Sequence, residues 1–394
     1  MDSIWKIALS ETGLGPEEEQ AARDVIASGW LTMGKRTAEL EAALGKKFGS
    51  ERVLAVTNCT AALHMAYAAV GVGPGDEIIC PSLTFVATAN AALMCGATVV
   101  LADILGTHDL GVDPEDIERK ISPHTKAITV VHYAGYPCDM DAVMKISNAY
   151  NIPVIEDVAH APLGTWRGRA LGTIGDVGCF SFFSNKNMTT GEGGAVFSTR
   201  PDLHERLRLL RSHGMTTLTL DRHEGHASSY DVVEAGFNYR IDEIRSAIGL
   251  VQLGRLEGAN ERRRALTRHY RKCLRDGFEE NMRTNIAWVE IPYEDFESRE
   301  VGVSACHLMP VLLPAGADRQ RVMAAMKSRG IQTSIHYPPI HRFSFHSMSP
   351  RVRCYGLQKT DHVAERELTL PLYPQMTAHD VETVCAALRE ALQA

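Results

Sequence analysis

Short runs of apolar, mostly β-branched residues recur through the first two-thirds of the chain, and stretches with helical character separate them. Such runs lack the polar alternation of a half-exposed strand, and they are typical of strands that are buried on both faces of a parallel sheet. Parallel strands need crossover connections, which helices usually supply. The pattern therefore predicts an α/β domain with helices on both faces of its sheet. Three consecutive runs are ATVVLADI, KAITVVHYAG and IPVIEDVAH.

The last third of the chain has a different pattern. Apolar residues at positions 244, 248 and 251 indicate a long amphipathic helix that bridges the two parts of the molecule. The segments after it alternate between strand and helix on a smaller scale, which predicts an α+β domain. We expect a large α/β domain over residues 1–250 and a small α+β domain over residues 251–394. The segments after the long helix are SACHLMPVLLP (strand), DRQRVMAAMKSRG (helix), IQTSIHYP (strand) and a last helix from Thr377.

Composition narrows the classes of function. The 394 residues carry a formal net charge of −7, whereas nucleic-acid-binding proteins are usually basic, so we expect no nucleic-acid partner. No apolar run approaches the roughly 18 residues of a membrane-spanning helix. The nine cysteines are scattered, with no Cys-x-x-Cys pair, and the start MDSIWK does not resemble a signal peptide. These features predict a cytoplasmic protein without a membrane segment.

One lysine stands between two asparagines in FFSNKNMTTGEGGAV, residues 182–196. A lysine in such a turn is costly to bury unless its charge is paired or its amine is used chemically. The buried run IPVIEDVAH ends close to Asp157, and TNCTAAL contains a polar turn that leads into a helix. Alone, each is compatible with ordinary helix capping. Together, lysine, acid and helix start match the three needs of pyridoxal phosphate: an amine, a partner for the ring nitrogen and a phosphate site.

Six colinear motifs extend this observation over nearly the whole chain. They resemble those of the pyridoxal-phosphate-dependent nucleotide-sugar aminotransferases of the DegT/DnrJ/StrS type, which have the type I aspartate-aminotransferase fold. The resemblance implies a mainly parallel sheet of the seven-stranded type. It also implies transfer of an amino group from glutamate to a keto group of a nucleotide-linked sugar. The motifs are SGWLTMG, PSLTFVATANA, IEDVAHA, FSFFSNKNMTTGEGG, FNYRIDEIRSAIGLVQL and IHYPPIH.

The resemblance implies roles around the cofactor ring. Lys186 would form the Schiff base with pyridoxal phosphate, and Asp157 would hold the pyridinium nitrogen. His160 would lie beside the phenolic oxygen, and Phe85 would stack on the ring face. Lys186 and Asp157 are thus the expected catalytic residues.

A second set of residues is implied at the phosphate. Ser181 would donate to it, together with Thr60 and the backbone amides of Thr60 and Ala61. Asn238 would reach the phosphate of the neighbouring subunit's cofactor, so a homodimer with shared active sites is expected. One departure is Cys59, which stands where relatives commonly carry glycine.

Four residues are implied on the substrate side: Trp30, Arg240, His336 and Tyr337. For Arg240, simple pairing with an acid is an equal alternative, and for His336 the alternative is loop packing. The spacing of His336 and His341 could also suggest a metal site. Two prolines between them exclude the helix that would align them, and no carboxylate or cysteine joins them, so we expect no metal.

Three other functions are alternatives to a sugar aminotransferase. An aminotransferase acting on a keto-cyclitol or another polar ketone of natural-product biosynthesis would carry the same residues. A non-catalytic regulator that binds the cofactor would usually have lost a catalytic residue, but Lys186 and Asp157 are both present. A related branch that removes a hydroxyl group carries histidine in place of the lysine, which Lys186 contradicts.

Overall fold

The computed structural model describes residues 5–217, 229–284 and 288–393. Its thirteen described strands form an eight-stranded sheet, a three-stranded sheet and a two-stranded sheet. The strands are β1 (Val53–Val56), β2 (Glu77–Pro81), β3 (Thr98–Ala102), β4 (Thr125–Val131), β5 (Val154–Asp157), β6 (Thr165–Trp166), β7 (Arg169–Ala170), β8 (Val177–Ser181), β9 (Gly194–Ser198), β10 (Gly302–Val303), β11 (Met309–Leu312), β12 (Val352–Cys354) and β13 (Glu367–Leu370).

The large sheet has the strand order β1–β9–β8–β5–β4–β2–β3–β12. Strand β9 is antiparallel to both of its neighbours, and the other neighbouring pairs are parallel. The predicted α/β class is confirmed, and strands β1, β2, β5, β8 and β9 are buried along their length, as continuous apolar runs require. The sheet has eight strands instead of the expected seven, because β12 pairs with β3 at the edge.

Helices cover the sheet and build the C-terminal part. They are α1 (Pro16–Ser28), α2 (Lys35–Phe48), α3 (Cys59–Ala69), α4 (Ala87–Met94), α5 (Pro114–Arg119), α6 (Met140–Tyr150), α7 (Pro201–Arg211), α8 (Glu243–Thr284), α9 (Arg319–Ser328), α10 (Ser344–Met348), α11 (Gln358–Arg366) and α12 (Ala378–Gln393), with short 3-10 turns at Tyr133–Gly135, Phe296–Arg299 and Ile340–Arg342. In residues 5–217, 229–284 and 288–393, the helices lack the length and apolarity that a membrane crossing requires.

The long helix α8 confirms the prediction of an amphipathic helix after residue 243. Its first residue, Glu243, satisfies the start of α2, since its carboxylate accepts hydrogen bonds from the amides of Gly34, Arg36 and Thr37 at 2.7–2.9 Å. Amides in the first turn of a helix have no partner within the helix, and an anion is favoured there. This contact ties the N-terminal helices to α8.

The small C-terminal part contains the antiparallel pair β11–β13, packed with α9 and α12 around one apolar core. Helix α12 begins as predicted, because the Asp380 amide donates to Thr377 Oγ1 and the Thr377 amide donates to Asp380 Oδ2. The strand expected in IQTSIHYP is wrong. Ile331 and Ser334 form only isolated bridges, to Ile7 and Thr369, because two different segments pair with this stretch and neither continues along it.

The C-terminal third also extends the large sheet, since Val352–Cys354 pairs with β3. A second link is β10, which pairs with β6 from the first half of the chain. The boundary expected at residue 250 stays a prediction.

Candidate active site

A cavity of about 380 Å³ opens at the carboxyl ends of the parallel strands. Asn58 follows β1, Phe85 follows β2, and Asp157 and Ser181 end β5 and β8. Ligands of open α/β sheets bind at this edge, because the loops that leave the strands converge there. Among the expected site residues, eight line the cavity: Thr60, Phe85, Asp157, His160, Ser181, Lys186, His336 and Tyr337.

Lys186 lies in the connection between the antiparallel strands β8 and β9. Two backbone hydrogen bonds close this connection, from the Phe182 amide to the Gly193 carbonyl and from the Thr190 amide to the Phe182 carbonyl. The next residue, Asn187, is buried and donates to Asn260 Oδ1 at 2.7 Å. The asparagine after the lysine therefore anchors the loop on α8 and holds Lys186 at the cavity wall.

The acid and the amine of the cavity have pKa values shifted in opposite directions. Burial raises the pKa of the Asp157 carboxyl, although the positive charge of Lys186 partly offsets this shift. Burial lowers the pKa of the Lys186 amine to about 8, although Asp157 favours its charged form. No described residue accepts a hydrogen bond from the Lys186 amine, so the amine is available for chemistry at the cavity.

Two hydrogen bonds hold the carboxylate of Asp157. Thr88 Oγ1 donates to Oδ2 at 2.9 Å, and the Ala159 amide donates to Oδ1 at 3.1 Å. Both lower the pKa of Asp157, because they stabilise the ionised form. Thr88 is fully buried in α4 and was missed in the sequence. In the sequence, the only indication of a role for Thr88 is its position one helical turn after Phe85.

His160 contacts Tyr337 across the cavity. The Ala134 amide donates to His160 Nδ1 at 3.3 Å, and His160 Nε2 lies 2.9 Å from the Tyr337 hydroxyl. Burial lowers the pKa of His160 well below its usual value, so the ring is neutral and carries its proton on Nε2. Phe85 lies 5.7 Å from the Tyr337 ring, centroid to centroid. The aromatic wall expected at Phe85 is thus formed by two rings.

Helix α3 begins at the wall of the cavity, which Ser181 also lines. Asn58 Oδ1 caps the helix and accepts from the Ala61 amide at 2.8 Å. Ala61 does not line the cavity, and its expected role at a phosphate stays a prediction. Gly194 packs against this cap so closely that an added Cβ would lie 2.8 Å from the Asn58 carbonyl carbon and 2.9 Å from the Cys59 nitrogen. Cys59 is the first helical residue, where glycine is not required.

His336 is held by a buried acid. Its backbone amide donates to Glu367 Oε2 at 2.9 Å, and its Nδ1 lies 2.9 Å from Thr369 Oγ1. Thr369 Oγ1 in turn donates to Glu367 Oε1 at 2.5 Å. The hydroxyl of Tyr133 also donates to the His336 carbonyl. Glu367 and Thr369 were missed in the sequence, where they appear only as alternate residues of a short strand.

Besides Ala61, three expected residues lie outside this cavity. Asn238 is exposed, while Trp30 and Arg240 are half-buried. Arg240 Nη1 is buried without a hydrogen-bond partner among the described residues, and burial lowers the pKa of its guanidinium. The roles expected for these three residues stay predictions. Within one chain, none of them is brought to Lys186.

The later histidines of the chain make separate polar contacts. His341 lies 2.8 Å from Ser82 Oγ and 3.0 Å from Asp361 Oδ1, while His346 lies 2.8 Å from Asn90 Oδ1. His341 lies in the short turn Ile340–Arg342 and His346 lies in helix α10, and these contacts hold both side chains against the large domain or α11.

Comparison with known proteins identifies the group to which the chain is related. Residues 13–389 match the DegT/DnrJ/EryC1/StrS aminotransferase family. The chain belongs to this family. An aminotransferase is a transferase, so the predicted class of enzyme is confirmed.

Solved structures of similar proteins match this DegT/DnrJ/EryC1/StrS aminotransferase over nearly its whole length. The aminotransferase TlmJ from Streptoalloteichus hindustanus is 32% identical, with a TM-score of 0.87 and coverage of 98% of this chain and 99% of TlmJ. The sugar aminotransferase CalS13 from Micromonospora echinospora is 31% identical, with a TM-score of 0.85 and coverage of 98% and 99%. Spr1654 from Streptococcus pneumoniae, 25% identical with a TM-score of 0.86 and 98% coverage of both chains, was solved in a PLP-form.

Proposed function

We propose that the chain is a pyridoxal-phosphate-dependent aminotransferase that moves an amino group from L-glutamate to a keto group of a nucleotide-linked sugar. The observation that carries the proposal is the pair Lys186 and Asp157, held in one cavity beside the start of α3. The similarity to CalS13, a sugar aminotransferase, and to Spr1654, solved with its cofactor, supports the choice of sugar and cofactor.

The residues of the cavity fit pyridoxal phosphate group by group. The buried Asp157 carboxylate would hold the ring nitrogen, and Lys186 would hold the aldehyde carbon through its amine. Ser181, Thr60 and the first amides of α3 would bind the phosphate, since a helix start favours an anion. Asn185 Oδ1 is buried beside the cavity and has no partner within residues 5–217, 229–284 and 288–393, which is expected where a polar ligand completes the wall.

When bound, pyridoxal phosphate supplies a ring that takes up the electrons released as the donor loses its Cα proton. The protein's part is to position groups and move that proton. The Lys186 amine, with a pKa of about 8, is suited to accept the proton from Cα and return it elsewhere near neutral pH. Asp157 would keep the ring nitrogen protonated, and the Phe85 and Tyr337 rings would contact the ring face.

A homodimer with shared active sites belongs to the proposal. Phe85 and Phe183 line the cavity, yet their side chains are 55% and 44% exposed in the single chain. Exposed aromatic residues at the mouth of a cavity are typical of a surface that another chain covers. Asn238 and Arg240, whose Nη1 has no partner among the described residues, would then serve the partner's cofactor and substrate.

The first test removes the amine. Lys186→Ala should abolish the yellow colour that glutamate bleaches, and turnover should fall by at least about 1000-fold, because both proton transfers lose their carrier. Borohydride reduction followed by peptide mass spectrometry should attach the cofactor to Lys186 in the wild type only. Lys126→Ala, at an exposed lysine of β4, serves as control and should behave as the wild type. Appreciable turnover of Lys186→Ala would reject the assigned role.

A second test concerns the acceptor. Keto sugars, with and without a nucleotide, and keto-cyclitols are incubated with glutamate, and release of 2-oxoglutarate is followed. The proposal expects turnover with a nucleotide-linked keto sugar. Turnover with cyclitols alone would contradict the sugar acceptor and leave the aminotransferase assignment intact.

A further inference from the structure

We propose that Glu367 and Thr369 fix the tautomer of His336, so that His336 Nε2 faces the cavity as a hydrogen-bond acceptor for a hydroxyl or amino group of the substrate. The tautomer follows from contacts within the chain alone. Its use by a sugar substrate rests on the proposed function. Glu367 and Thr369 are therefore positioning residues that act through His336.

The three side chains form one buried chain of hydrogen bonds. Thr369 Oγ1 lies 2.5 Å from Glu367 Oε1 and 2.9 Å from His336 Nδ1. The exposed fractions are 1% for Glu367, 1% for Thr369 and 8% for His336. Glu367 Oε2 is occupied separately by the backbone amide of His336. Each oxygen of the carboxylate thus has one defined partner.

The direction of these hydrogen bonds, from donor to acceptor, follows from the number of protons on the three side chains. An ionised carboxylate only accepts, and a threonine hydroxyl has a single proton. Thr369 therefore donates to Glu367, and its oxygen must accept from His336 Nδ1. A neutral imidazole with its proton on Nδ1 has a lone pair on Nε2.

The ring is neutral and its second nitrogen is available. Burial and the nearby charge of Lys186 lower the pKa of His336 to about 4. His336 lines the same cavity as Lys186, and Nε2 hydrogen-bonds to none of the described residues. An acceptor at this position selects a donor on the substrate, such as a hydroxyl or an amino group, and disfavours a bare anionic oxygen.

Protonation of Glu367 reverses the direction of the hydrogen bonds that link it to Thr369 and His336. Burial raises the pKa of Glu367 to about 7, although Thr369, the His336 amide and Arg319 partly offset the shift. The other groups that face Glu367 are Tyr133 and Tyr337, whose pKa values are raised, so both stay neutral. A protonated Glu367 donates to Thr369, which then donates to His336 Nδ1. The ring proton moves to Nε2, and the acceptor toward the cavity becomes a donor.

Glutamine at position 367 imitates the reversed state. Its carbonyl oxygen must face the His336 amide, which leaves its NH₂ group to donate to Thr369 Oγ1. Thr369 then donates to His336 Nδ1. Glu367→Gln is therefore expected to hold the opposite tautomer of His336 at every pH. Thr369→Val removes the hydroxyl that relays the hydrogen bond between Glu367 and His336, without a large change in side-chain shape.

The experiment reads the tautomer directly in the holoenzyme without substrate. Protein labelled with ¹⁵N-histidine is examined by NMR, and the His336 signals are assigned by their loss in His336→Gln. At pH 8.5 the wild type and Thr369→Ser should carry the proton on Nδ1. Glu367→Gln should carry it on Nε2, and Thr369→Val should show a mixture. A wild-type proton on Nε2, or an unchanged tautomer in Glu367→Gln and Thr369→Val, would overturn the proposal.

Kinetics of the acceptor half-reaction provide the second readout. In the wild type, kcat/KM should fall as the pH drops through about 7, where Glu367 gains its proton. Glu367→Gln should lack this limb and have a kcat/KM about tenfold lower at pH 8, the effect of one misdirected hydrogen bond. Thr369→Ser, which keeps the hydroxyl, should retain the wild-type kcat/KM and pH profile. Equal pH profiles for wild type and Glu367→Gln would contradict the relay, whereas absence of turnover with any keto sugar would contradict the sugar acceptor and leave the tautomer result standing.

Discussion

Burial acts on Asp157 and Lys186 with opposite consequences. Burial favours the neutral form of each group, so it raises the pKa of the acid and lowers that of the amine. A neutral amine suits proton transfer, but a neutral carboxyl would not hold a protonated ring nitrogen. The hydrogen bonds from Thr88 and Ala159 favour the ionised carboxylate. The role proposed for Asp157 therefore depends on these two donors.

Thr88→Val tests this dependence with a side chain of nearly the same shape. Loss of the donor should raise the pKa of Asp157 further and weaken binding of pyridoxal phosphate about tenfold. The affinity is measured by titrating apoenzyme with the cofactor. Thr129→Val is the matched control. Thr129 is as buried as Thr88, lies in β4 beside the strand that carries Asp157, and hydrogen-bonds to Tyr67. Unchanged affinity in Thr88→Val, or an equal loss in the control, would contradict the role of Thr88.

Sequence motifs predicted residues that would meet the cofactor directly, but not the residues that hydrogen-bond to them. Lys186 and Asp157 follow from chemistry, because few arrangements use a lysine in a polar turn together with an acid at a strand end. Thr88, Glu367 and Thr369 act through contacts between segments that are distant in the chain. Threonine and glutamate occur widely for other reasons, so only the folded chain singles these out.

At the scale of elements, two helix starts show what local sequence can predict. Helix α3 is capped by its own preceding residue, Asn58, in the usual manner. Helix α2 follows Gly34, which has no side chain, and its first amides are satisfied by Glu243 from α8. The first cap was predictable from TNCTAAL, whereas the second depends on tertiary packing.

The cap of α3 also offers a test of the phosphate site. Asn58→Asp keeps a good cap but places a negative charge at the cavity. Binding of pyridoxal phosphate should weaken by about tenfold or more through repulsion, while binding of pyridoxal, which has no phosphate, should change little. Both affinities are measured by titration of apoenzyme. Asp139→Asn, a charge change at the cap of α6, is the control and should alter neither. Equal losses for both ligands would place the phosphate elsewhere.

At the scale of the whole molecule, the alternation of buried runs and helices was sufficient for the fold class but not for the edges of the sheet. Strand β12 has three residues, of which two are exposed, and it pairs on one side only. Such a segment has neither a continuous apolar run nor a clear alternation. Its place beside β3 is set by the packing of the C-terminal part on the large sheet.

At the scale of the whole molecule, the proposed sharing of the active site between two chains can be tested with mixed dimers. If Asn238 serves the partner's cofactor, a hybrid of a Lys186→Ala chain and an Asn238→Ala chain contains one site with both residues intact. Random mixing makes about half of the dimers hybrid, so about a quarter of wild-type activity should return. The assay uses limiting cofactor, at which each variant alone is inactive. If Asn238 serves its own chain, no hybrid site has both residues, and the mixture should stay as inactive as its components.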